Sequence, residues 1–466
     1  MSEDLQRWRR ALRETEQPAY LAIADLIGVD IQSGRLAAMQ KLPPLRSAAD
    51  TLGLNYTTVA RGYAEAQRRG LVDAKAGMGT FVRAIAPPPV ARTGVGNGLV
   101  EMTMNLPPEP RDVDLLERMR EGLVHLHVGM DLYALLRYQD FGGSPADREA
   151  GARWLAPRLP EVSADRVLVC PGVQSALLAL MSTFARAGDV ICCEALTYPG
   201  VKGIATQLGI RLHPLPMDDE GIDAAEFDAA CKAHSPKALY CNPTLLNPTT
   251  TTISEARRRE LATVARRHNV PIIEDDAYGL LPTRSPAPLA TFAPELTFYV
   301  TGLAKHVGAG LRIGYLIAPD ARQAKRLATT LRTMTVMASP FSIALATRWI
   351  LDGTATAAVE AIRAESAARQ KQAARVLPRD SYLAHPEAFH LWLALPPHWH
   401  RMAFAAHLRE RGIGVVASDS FAVAQPAPEA VRVCLGGAMD RDASWHALEL
   451  IAEAFAQEPA AVSGAM

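Results

Sequence analysis

Five short apolar runs, RVLVC, DVICCE, KALYC, VPIIED and TFYVT, recur between residues 166 and 301. Segments with helical spacing, such as Ser254 to His268, separate them. Unbroken apolar runs of this length suit strands covered on both faces, and helices between them supply the crossovers that parallel pairing needs. The rhythm therefore predicts an α/β fold with a mostly parallel sheet. A chain of 466 residues leaves room for a second or third domain beside it. The longest uncharged run, Val167 to Ala185, is broken by Pro171-Gly172 and contains Gln174, Ser175 and Thr183. It reads as strand, turn and buried helix, not as a membrane span.

A composition shift precedes this rhythm. AIAPPPVARTGVGNG (residues 84–98) is rich in Pro, Gly and small residues, as suits a linker. Before it, AYLAIADLIGVDIQSG carries a helical apolar stripe through Leu21, Ala24 and Ile27 and stops at Gly34. LPPLRSAADTLGLNYTTVARGYAEAQRRG then predicts two short helices joined at Leu52-Gly53-Leu54, the second capped near Asn55. LVDAKAGMGTFVR alternates as a two-stranded ribbon around Gly77 and Gly79. A helix pair followed by a hairpin is a winged helix-turn-helix pattern.

The second helix offers Thr57, Thr58 and Arg61, groups able to reach base edges and phosphates. The same residues would equally serve as a plain helix opening and a solvated charge. Charge is a weak guide: the first 83 residues hold 12 Lys+Arg against 9 Asp+Glu, while the whole chain is neutral. MSEDLQRWRRALRE lacks the apolar core of a signal peptide, so a cytoplasmic location is expected. The six cysteines form no CxxC pair, which argues against a disulfide framework or a zinc site.

The segment YVTGLAKHVGAGLRIGYLIAP, starting at Tyr299, places Lys305 in a loop of small residues and Arg312 seven positions later. Two snorkelling cations at a strand turn would explain it. So would a lysine that forms a Schiff base and an arginine that holds a phosphate. Other parts of such a site follow strand candidates. VPIIEDDAYGLL ends an apolar run with Asp275-Asp276 and sets Tyr278 three residues on; a carboxylate there suits a buried pyridinium. Asn247 precedes Pro248-Thr249, and CPGVQSALLAL turns into a helix whose N–H groups near Val173 and Gln174 can cradle a phosphate. Tyr198 in EALTYPGVKG offers a ring. Each part alone is often only a turn or a solvated strand end; the order of all of them is the signal.

LPPLR, NYTTVARGY, RRGLV and GMGTFV, in this order, resemble the winged helix-turn-helix of the GntR regulators. That resemblance implies DNA contacts from Arg46, Asn55, Thr57, Thr58 and Arg61, with the wing around Gly77 on the minor groove. YPG, NPT, EDDAY, the lysine loop with GLRIGY, and VRVCLGGA resemble fold-type I aminotransferases from about residue 113 onward. It implies pyridoxal 5′-phosphate (PLP) as cofactor, Lys305 as the Schiff-base lysine and Arg312 as a phosphate ligand. It further implies that Asp275 pairs the pyridine nitrogen, Asn247 and Tyr278 hold the phenolate oxygen, Tyr198 stacks on the ring and Arg432 binds an α-carboxylate.

Gly302 and Ala304 stand where relatives commonly have serines, with Thr301 the candidate substitute, and Thr250 stands in place of the usual glycine. The two modules together resemble the MocR regulators, and MTMNLPPEP, starting at Met102, resembles a subgroup of them. The implied organisation is a DNA reader over 12–83, a linker over 84–112 and an aminotransferase-like effector domain over 113–466. The implied function is a PLP-dependent transcriptional regulator that binds operator DNA and senses an amino acid or amine by aldimine exchange at Lys305. It would act as a homodimer with swapped DNA-binding domains, without metal or membrane, and not as a physiological enzyme. The alternative is an active PLP-dependent aminotransferase with an appended DNA-binding domain.

Overall fold

The computed structural model describes residues 2–15, 17–32, 35–36, 40–75, 79–83, 99–129 and 131–457. The chain divides into two compact units, Met1–Arg92 and Thr93–Met466.

The first unit packs helices Ser2–Glu14, Ala19–Gln32, Leu45–Leu52 and Tyr56–Arg68 beside an antiparallel hairpin of Val72–Lys75 and Gly79–Val82. Ile23, Ile27, Leu52, Val59, Tyr63 and Val82 share its core. Helices Ala19–Gln32 and Tyr56–Arg68 approach so closely at Gly62 that a Cβ there would lie 2.8 Å from the Ile23 side chain. Gly53, at φ 70°, ends helix Leu45–Leu52 in the left-handed conformation that glycine tolerates best. Helix Ser2–Glu14 starts before the boundary read from sequence, and its Trp8 is buried in the same core. The Trp8 indole Nε1 donates to Asp30 Oδ2 at 2.7 Å, so the buried ring keeps its polar atom paired. Gly77, named for the wing, lies outside the described residues.

The second unit is built on a seven-stranded sheet. Its spatial order is Val167–Cys170, Gly314–Ile317, Thr297–Gly302, Ile272–Asp275, Ala238–Cys241, Val190–Glu194 and Arg211–Leu215. Only Gly314–Ile317 runs antiparallel to its neighbours. The five strands anticipated from apolar runs all form, and each is buried along its whole length. The edge strand Arg211–Leu215 is half-exposed and contains Pro214, a residue suited to sheet edges, so its sequence gives no apolar run. Helices cover both faces: Val173–Phe184 packs in one core with Leu168 and Val300, while Pro145–Leu155 and Pro340–Leu351 pack in another with Tyr299 and Tyr315.

A smaller antiparallel sheet follows, ordered Tyr382–Ala384, His390–Ala394, Ala430–Cys434 and Val416–Ala417. The chain entering this unit joins that region. Val100–Glu101 pairs in parallel with Ile413–Gly414, and Met102 is buried in the same core as Leu391, Val433 and Phe404. Among the described residues no helix is long and apolar enough to cross a membrane.

Candidate cofactor and effector site

In an open α/β sheet, ligands collect at the carboxyl ends of the parallel strands, where loops diverge. Here that edge opens on a cavity of about 570 Å³. Lys305, Asp275, Asn247, Tyr278, Arg312, Arg432, Tyr198, Val173 and Gln174 all line it. These nine large-domain residues, singled out in the sequence, therefore line one cavity.

Asp275 closes strand Ile272–Asp275 and is buried. Its Oδ2 accepts a hydrogen bond from Tyr240 Oη at 2.9 Å, whereas Oδ1 is buried without a partner. Burial pushes this carboxyl up to about 7, against the lowering effect of the Tyr240 bond. A cationic N–H donor at Oδ1 would both satisfy that atom and restore the charged form. Lys305 follows strand Thr297–Gly302, and burial lowers its amine to about 8. A larger share of the amine is then neutral near neutral pH, and the neutral form is the nucleophile. Lys305 Nζ donates to the main-chain carbonyl of Asn105.

Helix Val173–Phe184 has Gly172 as its N-cap, at φ 84°, and its first residues, Val173 and Gln174, line the cavity, where a helix start leaves N–H groups without intrahelical partners. A Cβ on Gly172 would lie 3.0 Å from Arg312 Nη2, which places the guanidinium against that helix start. Tyr198 Oη donates to Gln174 Oε1 at 3.2 Å, so Gln174 holds the ring as well as the helix opening. Asn247 sits in a turn with two non-glycine residues in left-handed backbone, Leu245 at φ 49° and Thr250 at φ 63°. Thr250 is the position where a glycine was expected. A β-branched residue there costs about 1–3 kcal/mol, a strain that tends to persist where a site demands the geometry.

Thr301 does not act as the substitute hydroxyl. It is buried and donates to the Asp276 carbonyl at 3.0 Å, facing away from the cavity.

Arg432 lies in strand Ala430–Cys434 and is buried. Its Nη1 donates to Asn247 Oδ1 at 2.8 Å and its Nη2 to the Thr103 carbonyl, while Nε is buried without a partner. The Phe421 ring centroid lies 5.0 Å from its Cζ. All of these partners are neutral. A buried guanidinium held only by neutral groups fits a carboxylate that arrives with the ligand.

Four contributors escaped the sequence reading. Tyr240 orients Asp275, and Asn242 binds the Asp275 carbonyl through its side-chain amide. Asn105 Nδ2 donates to Tyr278 Oη at 2.8 Å and lies 3.5 Å from His390 Nδ1. Burial lowers His390 to about 3, so its imidazole is neutral, with Nε2 3.4 Å from the Leu246 carbonyl. The tautomer that donates from Nε2 leaves Nδ1 to accept from Asn105. Asn105 joins partners 173 and 285 positions away, which no local motif reveals.

In the first unit, Arg46, Asn55, Thr57 and Arg61 are exposed and Thr58 is half-buried. Asn55 holds the N-cap position of helix Tyr56–Arg68 but makes no side-chain capping bond, so its amide remains available. Arg61 stacks on Tyr20, 4.2 Å from the ring centroid. By contrast Arg68 and Arg69 pair with Glu65, and Arg83 pairs with Asp73.

The bacterial regulatory proteins, gntR family, match residues 19–82, and the aminotransferase class I and II family matches residues 130–451. The uncharacterized HTH-type transcriptional regulator YdeF of Bacillus subtilis (strain 168) is 30% identical over 431 residues, spanning 91% of this chain and 92% of YdeF. The chain belongs to the MocR-type regulators of the GntR family. The probable rhizopine catabolism regulatory protein MocR of Rhizobium meliloti is 26% identical over 332 residues, 66% of each chain. Among solved structures, an archaeal alanine:glyoxylate aminotransferase shares the fold of the large unit. It has a TM-score of 0.70 and 23% identity over 77% of this chain and 90% of its own.

This MocR-type protein is thus a transcriptional regulator that joins a GntR helix-turn-helix to a PLP-enzyme-like domain. The GntR module implies binding to operator DNA. The aminotransferase family implies pyridoxal 5′-phosphate as cofactor, and the site fits it. The unpartnered Asp275 oxygen suits a protonated ring nitrogen, the Lys305 amine suits an aldehyde, and the helix start with Arg312 suits a phosphate.

Proposed function

We propose that the large domain of this regulator is an effector sensor, in which an amino acid or amine takes the place of Lys305 on the cofactor and alters operator binding. PLP, when bound, supplies an aldehyde that condenses reversibly with a primary amine. In this reading Lys305 holds the cofactor, Asp275 fixes its ring nitrogen, and Asn247 and Tyr278 hold its phenolate oxygen. Tyr198 covers the ring, and Arg312 with the Val173–Gln174 helix start holds the phosphate. The observation that carries the sensor reading is the presence, in one cavity, of the Lys305 amine and a buried Arg432 whose partners are all neutral.

Arg46, Asn55, Thr57, Thr58 and Arg61 form the DNA-facing side of the reader, supported by the exposure of Arg46, Asn55, Thr57 and Arg61 and by the internal pairing of Arg68, Arg69 and Arg83. The reader, linker and effector domain occupy 12–83, 84–112 and 113–466. The working unit is a cytoplasmic homodimer with exchanged readers. Helices Val113–Gly129 and Leu132–Leu136 support a second copy, because Leu116, Leu123, Val124, Leu132 and Tyr133 are exposed along them. Two readers on one dimer raise DNA affinity through effective concentration.

An aminotransferase would use the same residues, with the freed lysine shuttling a proton at each turnover. Screening single amino acids and amines against the cofactor-loaded full chain separates the readings. Three quantities are followed: cofactor absorbance, keto-acid release, and affinity for a duplex selected from random DNA. At least one compound is expected to change both absorbance and DNA affinity, with keto acid released far below about 10 s⁻¹, a typical enzyme turnover. Release near that rate with no effect on DNA would identify an enzyme instead.

A further inference from the structure

Residues 99–110 enter the large unit as a strap across its cavity, and the strap connects through residues 84–98 to the DNA reader. Thr103, Met104, Asn105 and Leu106 line the cavity. The two ends are tied to the smaller sheet region. Met102 N donates to the Gly414 carbonyl at 3.1 Å, Cys434 N to the Met102 carbonyl at 3.1 Å, and Gly437 N to the Pro107 carbonyl at 3.1 Å. Between those ties the strap presents carbonyl oxygens to the two cations of the site: Asn105 to Lys305 and Thr103 to Arg432.

These two contacts differ in what breaks them. The Lys305 contact belongs to the free amine, so cofactor loading already removes it. The Arg432 contact survives loading, because the cofactor has no claim on that guanidinium. An anionic carboxylate is a better acceptor for a buried guanidinium than a neutral carbonyl, and the two oxygens repel when they crowd one donor. Resting on the sensor reading above, we infer that the effector's carboxylate is the switching group: it evicts the Thr103 carbonyl from Arg432 and shifts the strap. The effector class that switches is then an amino acid carrying both groups, while a simple amine occupies the cofactor without moving the strap.

Hydrogen exchange on the cofactor-loaded full chain tests this with glycine and methylamine, which differ only by a carboxylate. Cofactor absorbance reports in the same sample that each amine has reacted. Glycine is expected to speed exchange at the amides of Met102, Leu106 and Glu109 by about tenfold or more, and methylamine to leave them unchanged. In Gly436→Ala, whose new Cβ would collide with the Leu106 carbonyl, the strap should exchange fast without ligand and gain nothing further from glycine. Absorbance changes with both amines but equal strap exchange would overturn the strap inference and leave the sensor reading standing. If neither amine alters the absorbance, the sensor reading fails, and the strap inference falls with it.

Discussion

Lys305→Ala protein is expected to carry no borohydride-reducible link to PLP, whereas the reduced wild-type chain carries the cofactor on Lys305. The loss should be complete, because Lys305 is the lysine that lines the cavity with Asp275 and Arg312. A nearby competitor exists in Lys202, yet its amine is committed to the carbonyls of Asp419, Ser420 and Ala422 at 2.9, 3.0 and 2.6 Å. Moving that amine to an aldehyde would leave three carbonyls without their donor. Phosphate and ring contacts do not depend on the lysine, so the variant should still retain PLP noncovalently. Peptide mass spectrometry after reduction checks the outcome; an adduct on Lys202 or any other lysine would refute the assignment.

Arg432→Ala is expected to weaken carboxylate-bearing effectors by about 2 kcal/mol or more, roughly thirtyfold, while the Lys305 link to PLP persists. The large effect follows from burial: in this site a carboxylate has left water and needs a charged donor. Arg432 also binds Asn247 Oδ1 at 2.8 Å, so its removal loosens Asn247 as well. Methylamine separates the two consequences, since it has no carboxylate to lose. Titration of glycine and methylamine against wild type and variant, read by cofactor absorbance, should show the loss for glycine only. An equal loss for both would mean that Arg432 acts by ordering Asn247, not by holding a carboxylate.

What the sequence reveals follows from how each group does its work. The five anticipated strands are buried along their whole length because helices cover both faces of the sheet, and their largely apolar runs are legible without any structure. Arg211–Leu215 is an edge strand with a half-exposed surface, so the same criterion passes over it. Asp275, Asn247 and Lys305 lie at or just beyond strand ends and interrupt apolar runs, which marks them as chemistry.

Tyr240 sits inside a buried run, where an aromatic residue looks like core; only the 2.9 Å bond to Asp275 discloses its polar task. Asn105 is legible only as part of a short polar-and-proline segment, because its partners arrive from elsewhere in the chain. Thr301 shows the reverse failure. A hydroxyl one residue before Gly302 and three before Ala304 looks available from sequence, but strand pleat turns it toward the Asp276 carbonyl. In the reader, Leu5, Trp8 and Leu12 carry a helical stripe that the charged residues around it conceal.

In the proposed regulator an amine site is coupled to a DNA site, and coupling of that kind is reciprocal. The direct measurement titrates the amino acid identified by the screen into cofactor-loaded protein, with and without a saturating selected duplex, and titrates the duplex with and without the amino acid. The two affinities are expected to change by the same factor, in the range of about 5- to 150-fold usual for allosteric proteins. Amino-acid affinity that is identical with and without DNA, alongside keto-acid release at ordinary enzyme rates, would contradict that coupling.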